Sequence, residues 1–147
     1  MMKVPKNISI FATNCEPYTN TRGNRMAGVY ELNYKGKNIL CLDVAGLKLK
    51  DKPEFQKHVE EAKEQIRKCP PKSLLIITNV TSTGFDTQVA AIMGEYADHN
   101  TAYVKASALV GVSGVQKVVL AAIKAMIGRD FYLADTMEEA QEWLIQQ

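Results

Sequence analysis

No apolar run in this chain approaches the length of a membrane-spanning helix. The first residues also lack the hydrophobic centre of a secretion signal, so a soluble, cytoplasmic protein is expected. Basic blocks are missing as well. No Lys/Arg stretch exceeds two residues, and 18 basic against 16 acidic residues leave a net charge of +2. That is too little for a general nucleic-acid binder. Cysteine is scarce: Cys15, Cys41 and Cys69 are odd in number and far apart, with neither a disulfide framework nor a CxxC pair. Such usage fits a reducing compartment. The two histidines, His58 and His99, stand alone, whereas zinc needs three or four converging ligands. No metal and no cofactor is therefore expected.

What is present is a chain of 147 residues, 46% hydrophobic and 23% charged. These are ordinary globular values for one domain with a sizeable core. Residues 1–28 are rich in Asn, Thr, Lys and Arg and read as an arm, or as an extra edge strand carrying Ile8, Ile10 and Phe11. The regular part spans 29–147. Two β-rich runs, 29–34 and 38–44, flank a Lys35-Gly36-Lys37 turn and predict an antiparallel hairpin.

Asp51 is placed to cap the next helix, with Pro53 in its first turn. Phe55, Val59, Ala62 and Ile66 then recur at i, i+4, i+7 and i+11, one apolar stripe. Glu64 and Lys68 stand at a favourable i,i+4 spacing, and Pro70-Pro71 ends the helix. Residues 73–79 (SLLIITN) have a continuous apolar centre, the mark of a parallel strand covered on both faces. A polar loop leads to a second helix over 86–99, facing the core through Val89, Ile92, Met93 and Tyr96. A strand over 105–110 precedes Gly111-Val112-Ser113-Gly114 and a third helix over 114–127. That helix is apolar round much of its circumference and ends at Gly128. A short strand at 131–133 and a final helix opened by a Thr136/Glu139 capping box complete the chain. The order β-β-α-β-α-β-α-β-α predicts an α/β fold: a mixed, largely parallel five-stranded sheet with an N-terminal hairpin and four helices.

This order, and three segments, resemble the STAS/SEC14-like group, whose fold is that of the sporulation anti-sigma-factor antagonist (SpoIIAA-like). ILCLDVAGL (39–47) looks like its second strand, SLLIITNV (73–80) like its central strand, and 105–144 like its C-terminal half. In that last segment, glycines, a core helix, a short Phe strand and a capped Trp-Leu helix follow in register. The group consists mostly of uncharacterised small bacterial proteins. The resemblance therefore implies a fold and a style of action: a cytoplasmic, non-enzymatic regulatory module. The antagonists bind a partner protein, and a serine in an Asp-Ser-Ser-Gly motif is their phosphorylation switch. Here Thr81-Ser82-Thr83-Gly84 is similar but lacks the Asp, which makes Ser82 the phosphorylation candidate. The SEC14 side of the resemblance implies an alternative, a carrier of lipid or apolar small molecules, which requires an internal apolar pocket.

In open α/β sheets ligands collect at the carboxyl ends of the parallel strands. That rim would hold Asp43, Asn79, Thr81, Ser82, Thr83, Gly111, Ser113 and Gly114. Helix N-termini there offer orphan N–H donors to an anion or other polar ligand. The competing reading is that these hydroxyl and carboxylate side chains simply cap helices. The 111–114 turn is neither GxGxxG, nor GxxxxGK[ST], nor GxSxG. No oriented nucleophile–base pair is visible, and a small hydrolase using Asp43, a histidine and Ser82 or Ser113 is the third reading. The expected function is binding of a protein partner or small polar ligand, without nucleic acid and without membrane insertion. The broad apolar surface of the third helix suggests a homodimer. A cavity discriminates between these readings: lining by Leu, Ile and Met favours the carrier, and a flat polar rim favours the protein-binding module.

Overall fold

The computed structural model describes residues 28–147. The expected arm, with Ile8, Ile10 and Phe11, lies outside the described residues apart from Gly28, which opens the first strand. β1 (Gly28–Tyr34) and β2 (Lys37–Asp43) form an antiparallel hairpin. Its two-residue turn, Lys35-Gly36, has positive φ at both positions (50° and 88°), as the tight hairpin turn matching strand twist requires. β3 (Leu74–Asn79), β4 (Val104–Val110) and β5 (Tyr132–Ala134) add in parallel, in the spatial order β1-β2-β3-β4-β5. Five strands, mostly parallel, with one antiparallel edge, make the sheet the residue pattern predicted.

Helices cover both faces. On one face α1 (Lys52–Arg67) and α2 (Thr87–Asn100) meet Leu40, Leu42 and Ile76 of the sheet. α3 (Val115–Ile127) lies beside α2. On the other face α4 (Met137–Leu144) seats Ala140 and Leu144 on Ile77, Ala108 and Val110. The predicted α1 stripe is the buried one: Phe55, Val59, Ala62 and Ile66 all lie inside. β3 is buried from Leu74 through Thr78, as a two-sided central strand must be.

Several local details differ from the sequence reading. Asp51 holds the N-cap position of α1 as expected, but its side chain makes no cap there; its carboxylate accepts from the Lys48 N–H at 2.9 Å and closes a 3-10 turn, Leu49–Asp51. Glu64 pairs with Arg67 at 2.6 Å, one residue nearer than the expected Lys68. Cys69, just past α1, is half of a disulfide, against the expectation from scattered cysteines. Gly128 is left-handed, with φ of 70°, and ends α3 as predicted. At α4 the Thr136 hydroxyl accepts from the Glu139 N–H at 3.1 Å, while the Glu139 carboxylate accepts from the Asp135 N–H at 3.0 Å.

α3 is covered on one side only. Of its apolar residues only Ile123 is buried, whereas Val115, Val118 and Met126 are 63%, 70% and 75% exposed. Met126 is consequently separate from Tyr132 and Trp143, which stack on the opposite side of the sheet at 4.6 Å.

One buried carboxyl in the hairpin carries a pH dependence. Glu31 of β1 stands opposite Leu40, and desolvation raises its pKa to about 7. Folding therefore favours the protonated form. Stability is full below the unfolded-state pKa near the ordinary 4.5 and is lost as pH rises through about 7. Because the group is only partly buried, the loss is discounted to about 1 kcal/mol. Urea denaturation should find Glu31→Gln more stable than wild type at about pH 8 and the gap narrowed at about pH 5. A gap that widens on acidification would contradict the assignment.

Candidate ligand site

The carboxyl rim assembles as the topology dictates. Asp43, Asn79, Val110 and Ala134 form one row across β2 to β5, and the loops that follow them meet above it. Gly46 donates to the Thr81 carbonyl at 2.9 Å, and Gly84 donates to the Leu47 carbonyl at 2.7 Å. Gly111 packs so closely on Thr81 that an added Cβ would lie 2.7 Å from the Thr81 Cα. The sequence-predicted residues are therefore brought together.

Their polar atoms, however, are turned toward the protein's own backbone. The Asp43 carboxylate accepts from the Ala45 N–H at 3.0 Å. Asn79 Oδ1 accepts from both the N–H and the hydroxyl of Thr81, at 3.1 and 2.7 Å. The Thr83 hydroxyl donates to the Val44 carbonyl at 2.9 Å. These bonds fix two loops that would otherwise leave backbone groups unsatisfied. Ser82 is exposed, with φ of 56°, and its carbonyl accepts from Lys48 Nζ at 3.1 Å. It lies in the loop ahead of α2, whose cap is Asp86, accepting from the Val89 N–H at 2.9 Å. Lys52 sits 2.5 Å from that carboxylate and holds its pKa below the ordinary value. Ser82 is thus off the helix terminus, four residues ahead of the cap. Ser113 is exposed, and Gly114, not Ser113, occupies the cap position of α3 with no side-chain cap.

The histidines do not join this rim. His58 lies between Glu54 and Glu61 of its own helix, at 3.4 and 3.2 Å. His99 contacts Asn100 and Arg67. Neither hydrogen-bonds Asp43, Ser82 or Ser113.

Beneath the rim lies a feature the residue pattern did not foretell. A half-open crevice of about 50 Å³ lies between α2, α3 and the sheet. Its walls include Val89 and Met93 of α2, Leu120 and Ile123 of α3, and Leu109 of β4. Thr83, Val112 and Gln116 also line it, and Thr83 is the one predicted rim residue that does. Gln116 braces the rim, donating to the Thr83 carbonyl at 3.3 Å and accepting from the Ser113 N–H at 3.2 Å.

A second cavity of about 40 Å³ adjoins the first through shared walls, Met93, Leu109, Leu120 and Ile123. It is lined differently: Thr78, Tyr96, Asn100, Ser107 and Arg129 bring polar groups into it. The Tyr96 side chain is 3% exposed. Its hydroxyl stands near Asn100 and Thr78 yet completes a hydrogen bond with neither. Burial pushes that phenol well above its usual pKa, so it is an O–H donor throughout the physiological range.

Arg129 spans the same cavity. It donates through Nε to the Thr101 hydroxyl at 3.3 Å, through Nη1 to the Ser107 hydroxyl at 3.1 Å, and through Nη2 to the Ala97 carbonyl at 3.0 Å. The guanidinium also lies over the Phe131 ring at 4.8 Å. Desolvation lowers its pKa, and among the described residues no carboxylate forms an ion pair with it. Sequence reasoning named none of these five polar residues except Tyr96, which it assigned to core. The available signal was Ser107 facing inward from the apolar strand KASALV, with an arginine directly after the helix-ending Gly128.

No family profile matches this chain, and no curated protein matches it either. Among solved structures it is similar to an uncharacterised protein of the DUF3478 family from Shewanella loihica PV-4. The match covers 85% of this chain and 99% of that one, with a TM-score of 0.56 and 16% identity. That protein is described as having a SpoIIAA-like fold. At this identity the likeness is one of architecture, and the architecture of this chain is SpoIIAA-like.

Proposed function

We propose that this chain is a non-catalytic binding module whose ligand is a small, largely apolar molecule held between α2, α3 and the sheet. The observation that carries the reading is the crevice lined by Met93, Leu109, Leu120 and Ile123. An apolar recess with a few polar groups at its ends is the usual form of a small-molecule site. It corresponds to the carrier alternative of the sequence reading. The rim polar groups support that choice over a polar ligand bound there, since Asn79, Thr83 and Asp43 already serve the backbone. The separated histidines support a non-catalytic role, because both are engaged on their own helices and neither bonds a rim hydroxyl.

The cavity is small, and α3 is the element able to enlarge it. One buried residue, an uncapped N-terminus and an exposed outer face hold that helix weakly, which places it among the segments that open at low cost. Thermal denaturation with benzene or 1-hexanol tests the reading. A ligand at ten times its Kd adds about 1.4 kcal/mol, a rise of a few degrees in Tm for about this many residues. Leu120→Trp, which fills the crevice, should abolish the rise. An unchanged Tm with both compounds at millimolar concentration would sink the proposal.

A further inference from the structure

Resting on that reading, we infer that the ligand carries a carboxylate, received in the inner cavity by Arg129 and the Tyr96 hydroxyl while its apolar part occupies the outer crevice. Two independent observations point there. A hydroxyl enclosed by protein and left without an acceptor is costly, and Tyr96 O–H is such a group, facing the cavity. A half-buried guanidinium without an acidic partner carries uncompensated charge, and Arg129, which faces the same cavity, has no acidic partner among the described residues.

The chemistry of the complement follows from the donors. Arg129 and Tyr96 both offer hydrogens, so the missing partner is an acceptor, and the charge of Arg129 makes an anionic acceptor the better one. Arg129 is pre-positioned by its three hydrogen bonds to Ser107, Ala97 and Thr101 and by Phe131. Little side-chain entropy then remains to be lost on binding. The inner cavity is too small for a phosphorylated headgroup with its substituents, whereas a carboxylate is compact. The outer crevice is almost wholly apolar, and it adjoins the inner one along Met93, Leu109, Leu120 and Ile123. A molecule with one carboxylate at the end of a short aliphatic or single-ring body fits both halves. Lipids with long chains do not fit without displacing α3.

The test compares hexanoate with 1-hexanol, hexylamine and acetate, using isothermal titration and Tm shifts at constant ionic strength. Hexanoate should bind about tenfold or more tightly than 1-hexanol, the difference a charge-assisted hydrogen bond contributes. Hexylamine should bind more weakly than 1-hexanol, and acetate should show that charge alone is not enough. Arg129→Met should erase the preference for hexanoate while leaving 1-hexanol binding within about twofold. Should Arg129→Met fail to fold, Tyr96→Phe carries the test. It removes only a hydroxyl that has no partner, so its Tm should equal or exceed wild type, yet hexanoate should weaken severalfold. Equal affinity for hexanoate and 1-hexanol overturns the carboxylate inference and leaves the apolar module standing. A hexanoate preference that survives both variants overturns the assignment to Arg129 and Tyr96. Binding of neither compound removes the proposed function itself.

Discussion

Gly111→Ala should destabilise the protein by about 2–5 kcal/mol, well above what a surface glycine normally costs. Two penalties combine. The residue has φ of +82°, where a Cβ is strained by about 1–2 kcal/mol. The added methyl would also overlap the neighbouring loop, standing 2.7 Å from the Thr81 Cα and closer still to its hydroxyl oxygen. That loop cannot easily retreat. Thr81 is tied to Asn79 by two hydrogen bonds, and its carbonyl accepts from Gly46. Gly111 itself donates to the Ala134 carbonyl at 3.2 Å, so displacement would also loosen β5. Gly114 supplies the internal comparison. Its φ is +57° but no atom lies within 4 Å of its hypothetical Cβ, so Gly114→Ala should cost only the backbone strain, about 1–3 kcal/mol, with no steric overlap added. Urea titrations of the two variants decide the matter. Equal losses would mean that the contact between the loops after β3 and β4 is not as close as described.

The two glycines show what the residue pattern could and could not convey. A strand ending at a glycine before an apolar helix is readable as a βα junction, and the junction is there. Which glycine is required by a neighbour cannot be read, because the neighbour, Thr81, belongs to another βα unit. Periodicity found α1 and β3 because each is one-sided or two-sided in burial over its whole length. It says less about α3. A helix apolar round much of its circumference reads as covered on more than one side, and which side the chain's own sheet covers depends on how much of it remains beyond α2. Here that leaves Ile123 inside and Val118 in solvent. The crevice follows from the same geometry, since α3 rests beside α2 without closing onto β4. The rim residues were legible from the strand ends. Arg129 and Tyr96 were not, for they converge from a loop and from the last turns of α2, and a single polar residue on a helix carries no spacing signal.

Phe55→Ala should cost about 3–5 kcal/mol, the loss expected when a fully buried aromatic ring is truncated in a core that cannot collapse. Phe55 is 2% exposed, sits in the first turns of α1, and packs in the cluster with Val59, Leu42 and Val44. The same ring walls the crevice beside Val80 and Val89, so its removal joins a new void to an existing one. Val118→Ala is the contrasting case: at 70% exposure it should change stability by no more than about 0.5 kcal/mol. Denaturant midpoints separate these outcomes, and a loss under about 1 kcal/mol for Phe55→Ala would refute its place in the core. The enlarged space adds a second readout. Apolar cavities of about 150 Å³ stay dry and take up benzene, so benzene should raise the Tm of Phe55→Ala more than that of wild type. If the gain is instead larger in wild type, Phe55 is a surface the apolar ligand needs rather than a limit on its size. The ring would then act in recognition as well as in folding.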